Sequence, residues 1–76
     1  MQTSDQYFTE MLRFEVRDEL QRQGLKWGVQ NHTQEEWFTI LGEEVGEVAR
    51  AILEKQSENY REELIQVAAV CMAAVE

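Results

Sequence analysis

A chain of 76 residues with a formal net charge of −8 fits one small domain, residues 1–76, and leaves no room for a second. The excess of acid repels nucleic-acid phosphates and anionic membrane surfaces, and the seven basic residues are scattered, so neither a nucleic-acid polymer nor a membrane is expected as a partner. No uncharged apolar run is long enough to span a bilayer, the first residues lack a signal-peptide pattern, and the lone Cys71 can form no intrachain disulfide; these features point to the reducing cytoplasm.

The pattern predicts an all-α chain of three helices. Thr3 or Ser4 can cap the first, which carries Phe8, Met11, Leu12, Val16 and Leu20 at three- and four-residue spacing and is expected to fade near Gly24, spanning about Ser4 to Gln23. Gly24 to His32, with two glycines and no clean period, reads as a loop. Thr33 and Glu36 then form a capping box, and the second helix runs to about Glu54 or Lys55 with an apolar stripe of Trp37, Leu41, Val45, Val48 and Ile52. Ser57 or Asn59 is expected to cap a third helix, Asn59 and Glu62 again standing at capping-box spacing. From Leu64 to Val75 that helix is apolar nearly all round, Cys71 included, and so must be covered on most sides. A core of this size is marginal, so a second copy or a fourth helix is expected to complete an oligomeric helical bundle.

The chemistry lies in carboxylates placed where a helix should be apolar. Glu43-Glu44-Val45-Gly46-Glu47 is weak evidence as a string, because 13 of the 76 residues are glutamate. Position strengthens it. With about 100° per residue and Trp37 as zero, Glu44 falls near −20°, inside the apolar arc, and Glu47 near −80°, at its border, while Glu43 lies toward solvent. On the third helix Val67, Val70 and Ala74 all lie within about 40° of Glu63, and Gln66 stands one turn on beside Val70 and Ala73. Burying an unpaired carboxylate costs several kcal/mol, so such residues imply a cation partner. Two helices packed antiparallel would bring Glu44 and Glu47 against Glu63 and Gln66, a set of hard oxygens suited to Mg²⁺. The alternative is a solvated acidic face with salt bridges to Arg50 or Arg61.

These residues resemble the MazG-like family of all-α nucleoside triphosphate pyrophosphohydrolases, whose signature pairs Glu-Glu-x-x-Glu with a later Glu-x-x-Asp. Glu43, Glu44 and Glu47 match the first half, and Glu63-Leu64-Ile65-Gln66 matches the second with glutamine in place of aspartate. Lys26-Trp27-Gly28-x-Gln30-x-His32 and Tyr60-Arg61-Glu62-Glu63-Leu64 extend the resemblance over roughly residues 13–76. It implies hydrolysis of a nucleoside triphosphate to monophosphate and pyrophosphate, Mg²⁺ with Mn²⁺ as a substitute, and a homodimer or homotetramer. By carry-over Glu44, Glu47 and Glu63 are metal ligands, Gln66 takes the fourth ligand position, and Glu43 assists the attacking water. A carboxamide brings no charge, so metal affinity is expected to be weaker than with aspartate.

Trp27 with Lys26, Gln30 and His32 forms a base and phosphate pocket on one reading, the indole stacking on a base; on the other, Trp27 plugs the core and His32 is a loop or capping residue. Lys55 and Arg61 flank the second turn, where they reach phosphates or serve as surface charge. A second functional class fits the same composition: a non-catalytic acidic helical module that dimerises through its third helix and binds a basic partner.

Overall fold

The computed structural model describes residues 4–28 and 30–76, apart from the side chains of Ser4, Trp27 and Ser57. Three helices, α1 (Ser4–Trp27), α2 (Gln34–Leu53) and α3 (Ser57–Val75), account for nearly all of them, and no strand occurs among the described residues. The chain is all-α, as its periodicity predicts.

α1 runs four residues past its expected end. Gly24 sits within the helix at a cost of about 1 kcal/mol relative to alanine, which the helix-forming Leu25 and Lys26 after it help to offset. Gly28 is the residue that stops α1. Its φ of 74° is left-handed, and its N–H donates to the Gly24 carbonyl at 2.8 Å. The expected loop therefore shrinks to residues 28–33, and Lys26 and Trp27 belong to the last turn of α1.

α2 begins as expected. The Glu36 N–H donates to Thr33 Oγ1 at 3.1 Å, and the Thr33 N–H donates to Glu36 Oε1 at 2.9 Å. The helix closes where Lys55 adopts a φ of 56°, and the Gln56 N–H donates back to the Ala51 carbonyl at 3.0 Å. That tight turn starts α3 directly after Gln56, before Asn59 can act as a cap. Gln56 is the N-cap residue, it makes no side-chain cap hydrogen bond, and Asn59 donates to the Gln56 side chain. The expected caps by Ser57 or Asn59 are corrected accordingly.

α3 lies in the middle. α1 and α2 both pack on it and not on each other. The short turn makes α2 antiparallel to α3, while α1 runs parallel to it: Glu15 stands beside Arg61, and Gly24 shares a cavity with Ala73 and Ala74. The extents are 42 × 31 × 20 Å, a shape flattened to a little under two helix diameters in the short direction. A radius of gyration of 13.8 Å against about 11.4 Å for a compact chain of this length describes the same flat layer.

A layer encloses little. Among the described residues only Ala51, Ala69 and Val70 are buried. α3 keeps an open face that includes Leu64, Cys71 and Met72, so Cys71 is exposed rather than packed inside, contrary to expectation. α2 is also rotated from its expected setting. Ala51 is its buried residue, Glu44 is half-buried, and Val45 and Ile52 from the predicted stripe are 52% and 58% exposed. With α3 as the only neighbour, the contact arc of α2 moves toward its small and acidic side.

Candidate carboxylate site

The turn between α2 and α3 folds the chain back on itself, so residues equally spaced from it come side by side. Glu44 on α2 and Gln66 on α3 meet in this way, and Glu63 stands one turn nearer the connection on α3. With its amide nitrogen turned toward the carboxylates, Gln66 donates to Glu44 Oε2 at 2.9 Å and to Glu63 Oε2 at 3.2 Å. All three side chains are half-buried.

Negative charge accumulates here. Burial pushes the Glu44 carboxyl above its ordinary range, helped by repulsion from Glu63, Glu47, Glu19 and Glu43 in that order. Glu63 is pushed the same way, first by burial and then by Glu47, Glu62 and Glu19. The cations that could have neutralised the cluster are engaged elsewhere. Arg50 Nε bonds Glu54 Oε1 at 3.1 Å, and Arg61 Nη2 reaches across to Glu15 Oε2 at 2.6 Å, tying α3 to α1. Among the described residues no salt bridge reaches Glu44, Glu47 or Glu63. Arg50 and Arg61 thus form exposed salt bridges with Glu54 and Glu15, and Arg50 acts on Glu47 through its charge alone.

The four residues expected to hold a metal are brought together in part. Glu44, Glu63 and Gln66 converge, whereas Glu47 is exposed and acts on the others through its charge alone. Glu43 is exposed at the margin. No three Asp, Glu, His or Cys side chains among the described residues are grouped tightly enough to hold a metal ion, because the third member of this set is an amide. Carboxylate and amide oxygens are hard donors, the chemical kind that Mg²⁺ and Mn²⁺ prefer.

Glu19 of α1 belongs to the same electrostatic cluster and escaped the reading of the sequence. Arg22 binds its carboxylate through both oxygens, at 2.7 Å and 2.9 Å, and Gln23 adds a bond at 3.2 Å. The Arg22 bond holds Glu19 below its ordinary range against the opposing effect of burial. The signal was present. With about 100° per residue, Glu19 falls roughly 20° from Leu12 and inside the arc of Phe8, Leu12 and Val16, the same anomaly that marks Glu44.

The residues expected to bind substrate divide between the two ends of the layer. Gln30 and His32 line a cavity of about 610 Å³ together with Gln23, Gln34 and Trp37, with Ala73 and Ala74 of α3 as its small side chains. His32 Nε2 lies 3.2 Å from Gln30 Oε1, and its ring stands edge-on to Trp37 at 4.9 Å between centroids and 89° between planes. The Trp27 side chain lies outside the described residues, and Lys26 is exposed within electrostatic range of Glu19. Lys55 is exposed in the α2–α3 turn at the other end, and Arg61 is occupied by Glu15. Trp37 stands seven residues before Glu44, and Ala73 seven after Gln66, which sets the cavity about 10 Å along the helices from the carboxylates. Gln23, Gln34 and Trp37 were not legible as cavity residues, since Trp37 reads as core and the two glutamines as ordinary surface.

Comparison with protein-family models, with curated proteins and with solved structures gives no match.

Proposed function

We propose that the chain is a Mg²⁺-dependent nucleoside triphosphate pyrophosphohydrolase of the MazG-like kind, acting as a homodimer or homotetramer in the cytoplasm. The observation that carries this reading is the meeting of Glu44, Glu63 and Gln66 across two helices with no salt bridge to any of them. A cation bound there would supply neutralisation of phosphate charge and acidification of water, the chemistry that cleavage of the α–β anhydride bond with release of pyrophosphate requires. Glu44 and Glu63 would hold the cation directly, Gln66 would offer its amide oxygen, and Glu47 would contribute charge from the margin. Glu43, exposed next to Glu44, accepts the proton of the attacking water.

The neighbouring cavity suits the other end of such a substrate. Its side amides offer donors and acceptors to the edge of a base, and Trp37 and His32 supply aromatic surface. A span of about 10 Å from cavity to carboxylates matches the reach from a base through its sugar to the phosphates. Nucleotide-pool house-cleaning is the corresponding biological role.

The deciding experiment incubates the protein with canonical and modified triphosphates and Mg²⁺ or Mn²⁺. Monophosphate and pyrophosphate are the expected products; orthophosphate, or no turnover over a broad panel, counts against the reading. The exposed apolar residues favour one competing function, an acidic helical interaction module. That module predicts no Mg²⁺-dependent shift in melting temperature and no effect of Glu44→Gln on cation binding.

A further inference from the structure

We propose that the open face of the layer is the docking surface for a second copy of this chain, with the two α3 helices parallel and in register about a two-fold axis running along them. In this arrangement α2 of each copy covers α1 of the other. The inference rests on the self-association included in the function proposed above and is independent of catalysis.

The layer has two unlike sides. On α2, Phe38, Val45 and Ile52 lie about 80–120° round from Glu44 in one direction, and Glu47 lies about 60° from it in the other. On α3, Leu64, Cys71 and Val75 lie about 140–180° round from Gln66. The seam between α1 and α3 repeats the division. Glu15, Glu19, Arg22, Glu62 and Gln66 line a cavity on the carboxylate side, whereas Val16, Leu20, Ala68 and Met72 floor a groove on the other, with Arg13 and Arg17 at its edge. One side is therefore acidic, and the opposite side carries exposed Val45, Ile52, Leu64, Cys71 and Met72. The surface left over is of the size a partner covers. The chain exposes 6321 Å², against about 4,800 Å² for a compact monomer of its mass. The excess of about 1,500 Å² is larger than the roughly 800 Å² that each member of a stable pair buries. A second copy brings an apolar face of the same shape, and charge selects how it is turned. An axis across the helices stacks α2 on α2, setting five glutamates and one arginine against the same set. An axis along α3 stacks α2 on α1, which holds four of the seven basic residues. Arg13 and Arg17 are among those four and form no salt bridge among the described residues. Leu64 and Cys71, seven residues apart, then meet their own counterparts as in a parallel coiled coil. Both acidic sides point outward, which keeps the carboxylate sites open.

The test uses Cys71 of the whole chain as its probe, alongside light scattering. Alkylation of Cys71 by a soluble maleimide should slow about tenfold or more as protein concentration rises through the association midpoint. Mild oxidation should then link two chains through Cys71. On a Cys71→Ser background, Leu64→Cys should cross-link as well, whereas Asp18→Cys, on the acidic side, should not. Arg13→Glu combined with Arg17→Glu should raise the association midpoint roughly tenfold or more. A mass of two or more chains with Cys71 equally reactive at every concentration overturns the proposal and leaves self-association standing. A cross-link at Cys71 without one at Leu64→Cys overturns the parallel register. The mass of one chain at all concentrations removes both the docking surface and the oligomer. Should a variant fail to fold, alkylation and cross-linking of the wild-type Cys71 still decide. Absence of triphosphate turnover removes the enzymatic reading and leaves this one intact.

Discussion

Glu44 sits where three effects act together: partial burial, repulsion from four glutamates, and one amide as its hydrogen-bond partner. Glu44→Gln removes the desolvated charge and the repulsion, so the metal-free protein should melt higher by roughly 2–5 °C. The same change should abolish the Mg²⁺-dependent rise in melting temperature and lower triphosphate turnover at least ~100-fold, since the cation loses its central anionic ligand. Melting curves with and without Mg²⁺, alongside a pyrophosphate-release assay, check all three effects. The pH dependence follows from the direction of the shifts. Glu44 and Glu63 hold protons more tightly in the folded chain than an unperturbed glutamate with its pKa of 4.5. Their contribution to stability is therefore fully present below pH 4.5 and is lost as pH rises through their raised folded values. Glu19 and Glu36 are shifted the other way, and their contribution is present above pH 4.5 and lost as pH falls below it. A metal-free melting profile should thus decline as pH rises from 4.5 through the raised values of Glu44 and Glu63, and saturating Mg²⁺ should flatten that decline. Glu44 and Glu63 were legible because a carboxylate inside an apolar arc is visible in one helix alone. That the amide of Gln66 bridges them was not, because it depends on how two helices are set against each other.

Gly24 and Gly28 show how the same residue acts differently within one element. Gly24 lies inside α1, where an added Cβ meets nothing within 4 Å, so Gly24→Ala should stabilise the fold by about 0.5–1 kcal/mol. Gly28 ends α1 at a φ of 74°, also with open space around it, and Gly28→Ala should destabilise by about 1 kcal/mol through backbone strain alone. Urea denaturation of the two variants should give shifts of opposite sign. The start of α2 was readable because Thr33 and Glu36 satisfy each other's backbone within one turn. The end of α1 was not, since either glycine could have closed it, and only the backbone conformation shows that Gly28 does. The start of α3 was misplaced for a related reason: the turn closed by Gln56 onto Ala51 sets it, and the capping preferences of Ser57 and Asn59 do not.

As a whole the molecule is a flat layer with α3 between two helices whose backbones stay apart, and it exposes Phe8, Phe14, Phe38, Val45, Ile52 and Met72 among other apolar side chains. The three small residues buried among those described are too little for an independent core. Light scattering should therefore give two or four times the 8.9 kDa chain mass, and the melting temperature should rise with protein concentration, as mass action requires when folding and association are linked. A concentration-independent melt at the mass of one chain would remove the oligomer from the proposal. By itself the sequence determined the helical class, the start of α2 and the two carboxylates that break the apolar arcs, because each of these depends on residues within a few turns of one another. Only the tertiary structure decided which arc of α2 meets α3, that α1 brings Glu19 into the cluster, and that Arg50 and Arg61 pair away from Glu44 and Glu63. Those outcomes depend on the rotation and direction of one helix against another, which a single helix's periodicity does not specify.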